Sequence, residues 1–331
     1  MKNLFRISFL LFLLSGFVFV SCDKNKDDDN NNNTPENKTF ETLKTYLIAN
    51  DLDLPDVLNG WITTAENVYT VQTDSDATND YYIIDIRSAS DFSSGHIDGS
   101  VNSTFGDVLT AAANANGHTI IVVCYTGQTA AHAVVALRLS GYKDAKVMKW
   151  GMSGWNAGQD HWTPNVGDVA ATSGQWEAAP GNIATKIEFG NPVIESSKTD
   201  GADILKERVQ KLLSGGFSKI GGADVLADPS KYFVNNYWAE ADVQHYGHIK
   251  GAYRIKPLSL EKGEYKYLST DKTVVTYCWT GQTSSMVTAY LTVLGYSTKS
   301  LTFGANGMIH SDLKSHKWSA SLAKNYPLVT K

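Results

Sequence analysis

The sequence predicts an α/β protein built from two similar domains, each a parallel β-sheet flanked by helices on both faces. The segment Cys124-Tyr-Thr-Gly-Gln-Thr129 returns almost unchanged as Cys278-Trp-Thr-Gly-Gln-Thr283. Each copy follows a β-branched apolar run and precedes a helical pattern. A second pair, Gly95-His-Ile-Asp-Gly99 and Gly247-His-Ile-Lys-Gly251, keeps the same order along the chain. The chain is therefore an internal duplication.

In both domains, apolar strands alternate with helical patterns, which is typical of a parallel sheet covered by helices. In the first domain the pattern predicts strands at 81–86, 120–124 and 146–148, and helices at 89–93 and 129–140. In the second it predicts strands at 232–235, 273–277 and 300–302, and a helix at 284–294. Each strand that ends in Cys places its thiol at the carboxyl edge of the sheet, where open α/β sheets bind ligands.

Residues 1–22 predict a lipoprotein signal peptide. Lys2 and Arg6 precede an apolar run over residues 7–20, which is too short for a stable membrane-spanning helix. The run ends at Phe19-Val-Ser-Cys22, which resembles the lipobox of bacterial lipoproteins, and an ordinary cleaved signal is the alternative. We expect an envelope protein held to the lipid bilayer through acylated Cys22, at the outer membrane, with the periplasmic or surface face left open.

Composition sets the remaining boundaries. Residues 23–33 contain no apolar residue, so residues 23–39 are predicted to be a disordered tether. The two domains are expected at residues 40–165 and 200–331, each large enough to bury its own core. Residues 166–199 are rich in Gly, Ala, Ser, Thr and Pro and predict a linker.

Charge and cysteine count exclude several classes of function. Without Lys2 and Arg6 the chain has 27 basic and 34 acidic residues, a net charge of −7, and it has no basic cluster that could follow a phosphate backbone. Nucleic acid is therefore excluded as a partner. Of three Cys, one lies in the lipidation motif and two occupy equivalent loops, so we expect no structural disulfide. We expect no cofactor and, without a His and Cys cluster, no metal.

The two Cys loops suit an anionic sulfur. Gly127 and Gly281 permit backbone angles that other residues resist, so a loop can curl around the sulfur and aim amide N–H groups at it before a helix N-terminus. Such a setting lowers a thiol pKa and stabilises a bound anion. Cys124 and Cys278 are therefore candidate nucleophiles, with a small buried apolar residue at a strand end as the plain alternative.

Taken together, these motifs resemble the rhodanese superfamily over both domains. The resemblance rests on the strand ending in Cys, the loop with Gly fourth, and the segments Asp85-Ile-Arg87, Asp91-Phe-x-x-Gly-His-Ile and Gly141-Tyr-x-Asp-x-Lys-Val with its following Gly-Met-Ser-Gly-Trp155. It implies a sulfurtransferase whose loop Cys takes sulfane sulfur from a thiosulfate or mercaptopyruvate type of donor and passes it to a thiol or cyanide. A persulfide carrier without turnover and a non-catalytic surface interaction module are the alternatives.

By this resemblance, both loops are expected to contact the small sulfur donor. Their hydroxyls would add to the amide donors, and bulky Tyr125 and Trp279 would wall the pocket or cover its mouth and so set selectivity. Thr129 and Thr283 are also predicted to cap the following helices. The loop residues concerned are Tyr125, Thr126, Gly127, Gln128, Thr129, Trp279, Thr280, Gly281, Gln282 and Thr283.

Loop length separates the chain from the phosphatase relatives of this fold, which need Cys-x5-Arg. The sixth position after each Cys is Ala130 or Ser284, so phosphate-ester chemistry is excluded. Both loops are electrically neutral. They resemble mercaptopyruvate-type loops more than thiosulfate-type loops, but the bulky second residue matches neither type, so the donor stays open.

Four residues outside the loops complete the set of candidate site residues. Asp85 and Arg87 are expected to form buried structural contacts near the active-site edge, and the second domain has no Arg there. For His96 and His248, acid–base catalysis and fixing of the backbone through an imidazole hydrogen bond are both open. Tandem members of the superfamily commonly keep one working site, whereas this chain keeps Cys in both domains.

Overall fold

In the computed structural model, which describes residues 35–181 and 183–330, two parallel sheets are covered by helices, as the sequence predicts. The predicted signal peptide, Cys22 and residues 23–34 lie outside the described residues. Within the described residues, no helix combines the length and the apolarity needed to cross a bilayer.

The first sheet has five strands in the order β1-β5-β4-β2-β3, and all neighbours are parallel. Strand β4 is buried at every position, which is why it lacks the alternation of a half-exposed strand. In chain order the elements are α1 (Pro35–Ala49), α2 (Leu54–Val57), β1 (Ile62–Thr63), α3 (Ala65–Thr73), β2 (Tyr82–Asp85), α4 (Ala89–Ser94), β3 (Val101–Asn102), α5 (Val108–Ala112), β4 (Ile120–Val123), α6 (Gln128–Leu139), β5 (Lys146–Met148) and α7 (Met152–Trp155).

The second sheet has four parallel strands in the order β7-β11-β10-β8, and β6 pairs with β9 in an antiparallel ribbon. The elements are β6 (Trp176–Glu177), α8 (Gly201–Gly215), β7 (Lys219–Ile220), α9 (Gly222–Ala227), β8 (Phe233–Asn236), α10 (Glu240–Tyr246), β9 (His248–Ile249), β10 (Val274–Tyr277), α11 (Gln282–Val293), β11 (Thr298–Leu301) and α12 (Ala305–Met308). Short 3-10 helices lie at Ala157–Gln159, Thr163–Asn165, Pro229–Lys231, Glu264–Tyr267, His310–Asp312 and Ala320–Leu322.

Three segments outside the predicted strands and helices pack against the two domains. Helix α1 begins inside the predicted tether, and its apolar face, with Phe40, Leu43 and Leu47, is fully buried. The predicted linker contains β6, which pairs with a strand of the second domain. The C-terminal segment returns to the first domain, where Val329 forms a β-bridge with His96. Packing against the domains therefore orders these segments, and burial of apolar side chains stabilises that packing.

Helices α6 and α11, the two helices that follow the Cys loops, pack against each other and unite the two halves. Most of their residues are buried, and one hydrophobic core cluster contains side chains from both. His132 lies in this interface, where its Nδ1 is 3.1 Å from the Ser285 carbonyl oxygen. Burial lowers its pKa to about 4, so it stays neutral at physiological pH.

The carboxylate of Asp53 provides a second, polar link between the halves. It accepts a hydrogen bond from the N–H of Leu54 at 2.7 Å and thereby caps α2. It also accepts from the Ser259 hydroxyl at 2.7 Å and from the Leu260 N–H at 2.9 Å. The side chain is buried, so each of these donors depends on it for a partner.

We expect Asp53→Ala to lower the free energy of unfolding by about 3 kcal/mol, because it leaves buried donors on both halves unpaired. The measurement is a denaturant titration followed by fluorescence. Asp56→Ala, which removes an exposed carboxylate from the same helix, is the matched control and should change stability by less than about 0.5 kcal/mol. Equal effects of the two substitutions would contradict the role assigned to Asp53.

Candidate active site

Both candidate nucleophiles lie where the sequence places them, at the carboxyl end of a buried central strand. Cys124 follows β4 and Cys278 follows β10, and both side chains are buried. Gly127 and Gly281 then take φ values of 80° and 74°, and α6 and α11 begin at the next residue. The helix N-cap position therefore belongs to Gly and not to Thr.

The predicted capping role of Thr129 and Thr283 is wrong, because no side chain caps either helix at its N-cap position. Both Thr residues lie one position inside the first turn. Of the loop hydroxyls, Thr280 accepts a hydrogen bond from the Gln282 N–H at 3.3 Å, and Thr126 accepts one from the Gln128 side chain at 3.1 Å. These hydroxyls shape the loops internally.

Backbone amides point at the sulfur of Cys124. The N–H groups of Gly127 and Ala130 lie 3.1 and 3.4 Å from Sγ. Burial nevertheless raises the pKa of this thiol, and the amides of Ala130, Thr126, Gly127 and Thr129 only oppose that effect. The prediction of a lowered pKa is therefore wrong for Cys124, because desolvation outweighs the loop amides.

One backbone amide and one hydroxyl group, both of Ser284, lie near the sulfur of Cys278. The Ser284 N–H lies 3.3 Å from Sγ, and the Ser284 hydroxyl lies 3.6 Å from it. The Ser284 hydroxyl in turn lies 2.9 Å from the Ser300 hydroxyl, so the two form a short hydrogen-bonded chain. In the first domain Ala130 and Val147 occupy the equivalent positions, since Val147 and Ser300 each pair with the residue two before Cys.

Two glycines after the neighbouring strands let the backbone approach each Cys loop. Gly151 follows β5 and Gly304 follows β11, with φ values of 62° and 52°. A Cβ at Gly151 would lie 2.4 Å from the carbonyl oxygen of Cys124, and one at Gly304 would lie 2.2 Å from that of Cys278. The next residues donate N–H groups to the same oxygens at 2.9 and 3.0 Å. The segment that follows each neighbouring strand therefore packs against the Cys loop and fixes its backbone.

The loop glutamines cross between the domains. Gln282 donates from Nε2 to the Thr126 carbonyl at 3.0 Å, while Gln128 accepts from the Phe303 N–H through Oε1 at 2.8 Å. The glutamine amides also fill the space beside the loop glycines, because a Cβ at Gly127 or Gly281 would lie 2.2 or 2.3 Å from them. The two Cys loops therefore face each other and share buried contacts. The sequence predicts that these glutamines contact the sulfur donor, and it contains no signal for their contacts between the domains.

The large residues after the two Cys are held differently. The Tyr125 hydroxyl donates to the carboxylate of Asp91, and its ring lies 4.6 Å from the His161 ring. Trp279 stacks between Trp238 at 4.3 Å and His316 at 5.5 Å, measured between ring centroids. Each ring therefore borders the loop of its own domain, as expected from its position beside the thiol.

Asp85 and Arg87 form the expected buried contact. Arg87 Nη2 lies 2.6 Å from Asp85 Oδ2 and donates to the Gly95 carbonyl at 2.8 Å. In the second domain Asn236 accepts from the Trp238 N–H at 3.0 Å, as Asp85 accepts from the Arg87 N–H. Trp238 thus stands where the first domain has Arg87, so an aromatic stack replaces the ion pair.

His96 and His248 contact the backbone. Nδ1 of His96 lies 2.8 Å from the Phe92 carbonyl oxygen, and Nδ1 of His248 lies 2.9 Å from that of Ile249. Both rings are buried, which favours the role of fixing the backbone over that of acid–base catalysis. In the part of the chain that the structure describes, no group of three His, Cys, Asp or Glu side chains is arranged to hold a metal ion.

Comparison with known proteins supports the resemblance seen in the motifs. The family described as "Rhodanese-like domain" matches residues 65–158 and 226–308, which together exceed half of the chain. No curated protein sequence matches the chain significantly.

Among solved structures, the chain is similar to a thiosulfate sulfurtransferase from Pseudomonas aeruginosa, with 16% identity, 86% of this chain and 48% of that chain covered, and a TM-score of 0.30. It is similar to a 3-mercaptopyruvate sulfurtransferase from Leishmania major, with 10% identity, 75% and 73% covered, and a TM-score of 0.27. The similarity to the Bacillus anthracis protein CoADR-RHD, with 20% identity and a TM-score of 0.24, covers 28% of this chain and only 16% of that chain.

We expect Gly304→Ala to slow alkylation of Cys278 by more than 10-fold and to lower stability by several kcal/mol, because its Cβ would collide with the Cys278 carbonyl. The measurement is iodoacetamide labelling read by peptide mass spectrometry, beside a thermal melt. Gly99→Ala is the matched control, since Gly99 also has a positive φ of 74° but no atom near its missing Cβ. Similar losses in both variants would show that φ alone matters.

We expect Ser284→Ala to shift the pH profile of Cys278 alkylation to higher pH, because the Ser284 hydroxyl, which accepts from the thiol in this structure, can rotate to donate to the thiolate. The converse variant Ala130→Ser should shift the profile of Cys124 to lower pH. The alkylation rate of each Cys is measured between pH 6 and pH 10. We expect each substitution to change the rate at neutral pH on the order of 3-fold. An unchanged Cys278 profile in Ser284→Ala would contradict this assignment.

Proposed function

Because this chain belongs to the rhodanese-like domain family, we propose that it transfers sulfane sulfur through a cysteine persulfide, as a sulfurtransferase of the cell envelope. The observation that supports this most is the pair of strand-end thiols, each with at least one backbone N–H group directed at its sulfur. A persulfide is an anion and needs hydrogen-bond donors around it. Backbone amides at both thiols are donors of this kind.

The proposed reaction has two steps. The Cys thiolate attacks the outer sulfur of a donor such as thiosulfate, the donor S–S bond breaks, and sulfite leaves with the bonding electron pair. The resulting persulfide anion then gives its terminal sulfur to cyanide or a thiolate, and the Cys thiolate is regenerated. Charge is conserved in both steps, so the site needs to stabilise anions and does not need a proton shuttle.

We further propose that the protein is anchored to the bilayer of the envelope through acylated Cys22. The lipobox-like end of residues 1–22 and the polar residues after it support this placement. A tether of that kind would hold both domains near the membrane while leaving them in solvent.

One observation favours the second candidate, a carrier that holds persulfide sulfur without rapid turnover. Cys124 and Cys278 are only 3% and 2% exposed, and the crossing glutamines hold the two loops against each other. A buried persulfide would be protected from acceptors until the site opens. Cyanide- or thiol-dependent turnover separates this candidate from an enzyme.

We expect the form lacking residues 1–22 to gain one sulfur atom per reactive Cys after treatment with thiosulfate, mercaptopyruvate or polysulfide. Intact mass is the measurement, with Cys124→Ser and Cys278→Ser as matched variants that name the working domain. An enzyme would then release thiocyanate repeatedly with cyanide, and a carrier would release it once. No adduct from any donor, with both thiols open to alkylation, would overturn the proposed function.

A further inference from the structure

One peptide bond of the first Cys loop links its thiol to the second domain. The N–H of Gly127 lies 3.1 Å from Sγ of Cys124. The carbonyl of Thr126 belongs to the same peptide bond, and in a trans peptide the two groups point in opposite directions. That carbonyl accepts a hydrogen bond from Nε2 of Gln282 at 3.0 Å. A donor of the second domain therefore lies directly behind an amide that faces the sulfur of the first domain.

Two side-chain donors hold this carbonyl. Besides Gln282, the indole Nε1 of Trp162 donates to the Thr126 oxygen at 3.2 Å. Gln282 is 1% exposed and Trp162 is fully buried, so water does not compete for either hydrogen bond. A carbonyl oxygen can only accept, which fixes the orientation of the glutamine amide. Gln282 therefore presents its NH2 group to Thr126.

Hydrogen bonds to a carbonyl strengthen the N–H donor of the same peptide bond. They draw electron density toward the oxygen and fix the peptide plane, which a glycine holds only loosely because it has no Cβ. Burial raises the pKa of the Cys124 thiol, and the Gly127 amide is one of four loop amides that oppose this effect. The direction of this N–H therefore affects how readily the sulfur ionises.

The second Cys loop lacks the equivalent arrangement. Gln128 begins α6 as Gln282 begins α11, but its Oε1 accepts from the Phe303 N–H and its Nε2 donates to the Thr126 hydroxyl. In the part of the chain that the structure describes, no side chain donates to the carbonyl before Gly281, and the Gly281 N–H forms no hydrogen bond with the Cys278 sulfur. The contact from glutamine to thiol amide therefore runs in one direction only.

We propose that Gln282 is a positioning residue for Cys124. From the second domain it orients the Thr126–Gly127 peptide bond, so that the Gly127 N–H stabilises negative charge on the sulfur of the first domain. Its action on the Cys124 thiolate is independent of the proposed function, whereas its action on a persulfide at Cys124 rests on that function. The first thiol site is incomplete without the second domain.

The first experiment uses Gln282→Met in the full-length protein, because methionine keeps the length of the side chain and removes its donor. We expect iodoacetamide to alkylate Cys124 about 3-fold more slowly at neutral pH, since the Gly127 N–H is no longer held on the sulfur. Cys278 should change by less than about 1.5-fold, although it is much closer to Gln282 in the chain. Peptide mass spectrometry reads each rate separately.

Trp162→Phe is the second variant, because it removes the other donor to the same carbonyl and keeps an aromatic ring. It should slow alkylation of Cys124 in the same direction. Gln210→Met is the matched control, since it removes the same amide from an exposed position on α8, and it should change neither rate. Loosening of the loops would expose both buried thiols, so faster alkylation of both, or an unchanged Cys124 in Gln282→Met and Trp162→Phe, would overturn the positioning role.

A second measurement follows the amide itself, by NMR of the protein labelled with 15N-glycine. A weaker hydrogen bond moves an amide proton signal upfield, so we expect the Gly127 signal to move upfield in Gln282→Met and in Trp162→Phe. The Gly281 signal should stay in place in Trp162→Phe, since that variant removes a contact of the first loop only. Slower alkylation of Cys124 with an unmoved Gly127 signal would overturn the positioning role.

Sulfur loading by thiosulfate separates the positioning role from the proposed function. We expect Gln282→Met to slow loading of Cys124 about as much as it slows alkylation, because the same thiolate attacks the donor and releases sulfite. Slower alkylation without any sulfur adduct at either Cys would overturn the proposed function and leave the positioning role standing. Sulfur loading of Cys124 in a variant whose alkylation is unchanged would do the reverse.

Discussion

The packing of α6 against α11 is the interaction on which both thiol sites depend. Each helix begins at the residue after a loop glycine, so helix packing also fixes where the two loops meet. Gln128 and Gln282, the first residues of these helices, then reach across the junction. Their amides occupy the space that a loop side chain would need, which makes Gly127 and Gly281 necessary for contact as well as for φ.

The duplicated loops made the fold and the positions of both thiols predictable. The strands that end in Cys, the helices that follow and the parallel sheets all agree with the sequence, because β-branched runs and apolar periodicity are local signals. The crossing glutamines were not predictable, since their partners are 156 and 175 residues away in the chain. Gly151 lay in a motif that the sequence did show, but its closeness to the Cys124 carbonyl required the fold.

Tertiary packing also overrode composition at both ends of the described chain. Residues 35–39 belong to a helix because the Phe40, Leu43 and Leu47 face that follows them packs into the core. The C-terminal segment lies on the first domain, where Tyr326 stacks on Tyr69 at 4.0 Å and the Pro327 carbonyl accepts from Trp155. Such long-range contacts leave no period in the sequence, so the sequence could not predict them.

Nearly the same loop sequence produces two unlike thiol environments, because residues outside the loop differ around each sulfur. Ala130 and Val147 leave Cys124 among apolar atoms, and desolvation then raises its pKa despite the loop amides. Ser284 and Ser300 give Cys278 a hydroxyl chain in the equivalent space. Residues outside the shared loop therefore decide the surroundings of each thiol.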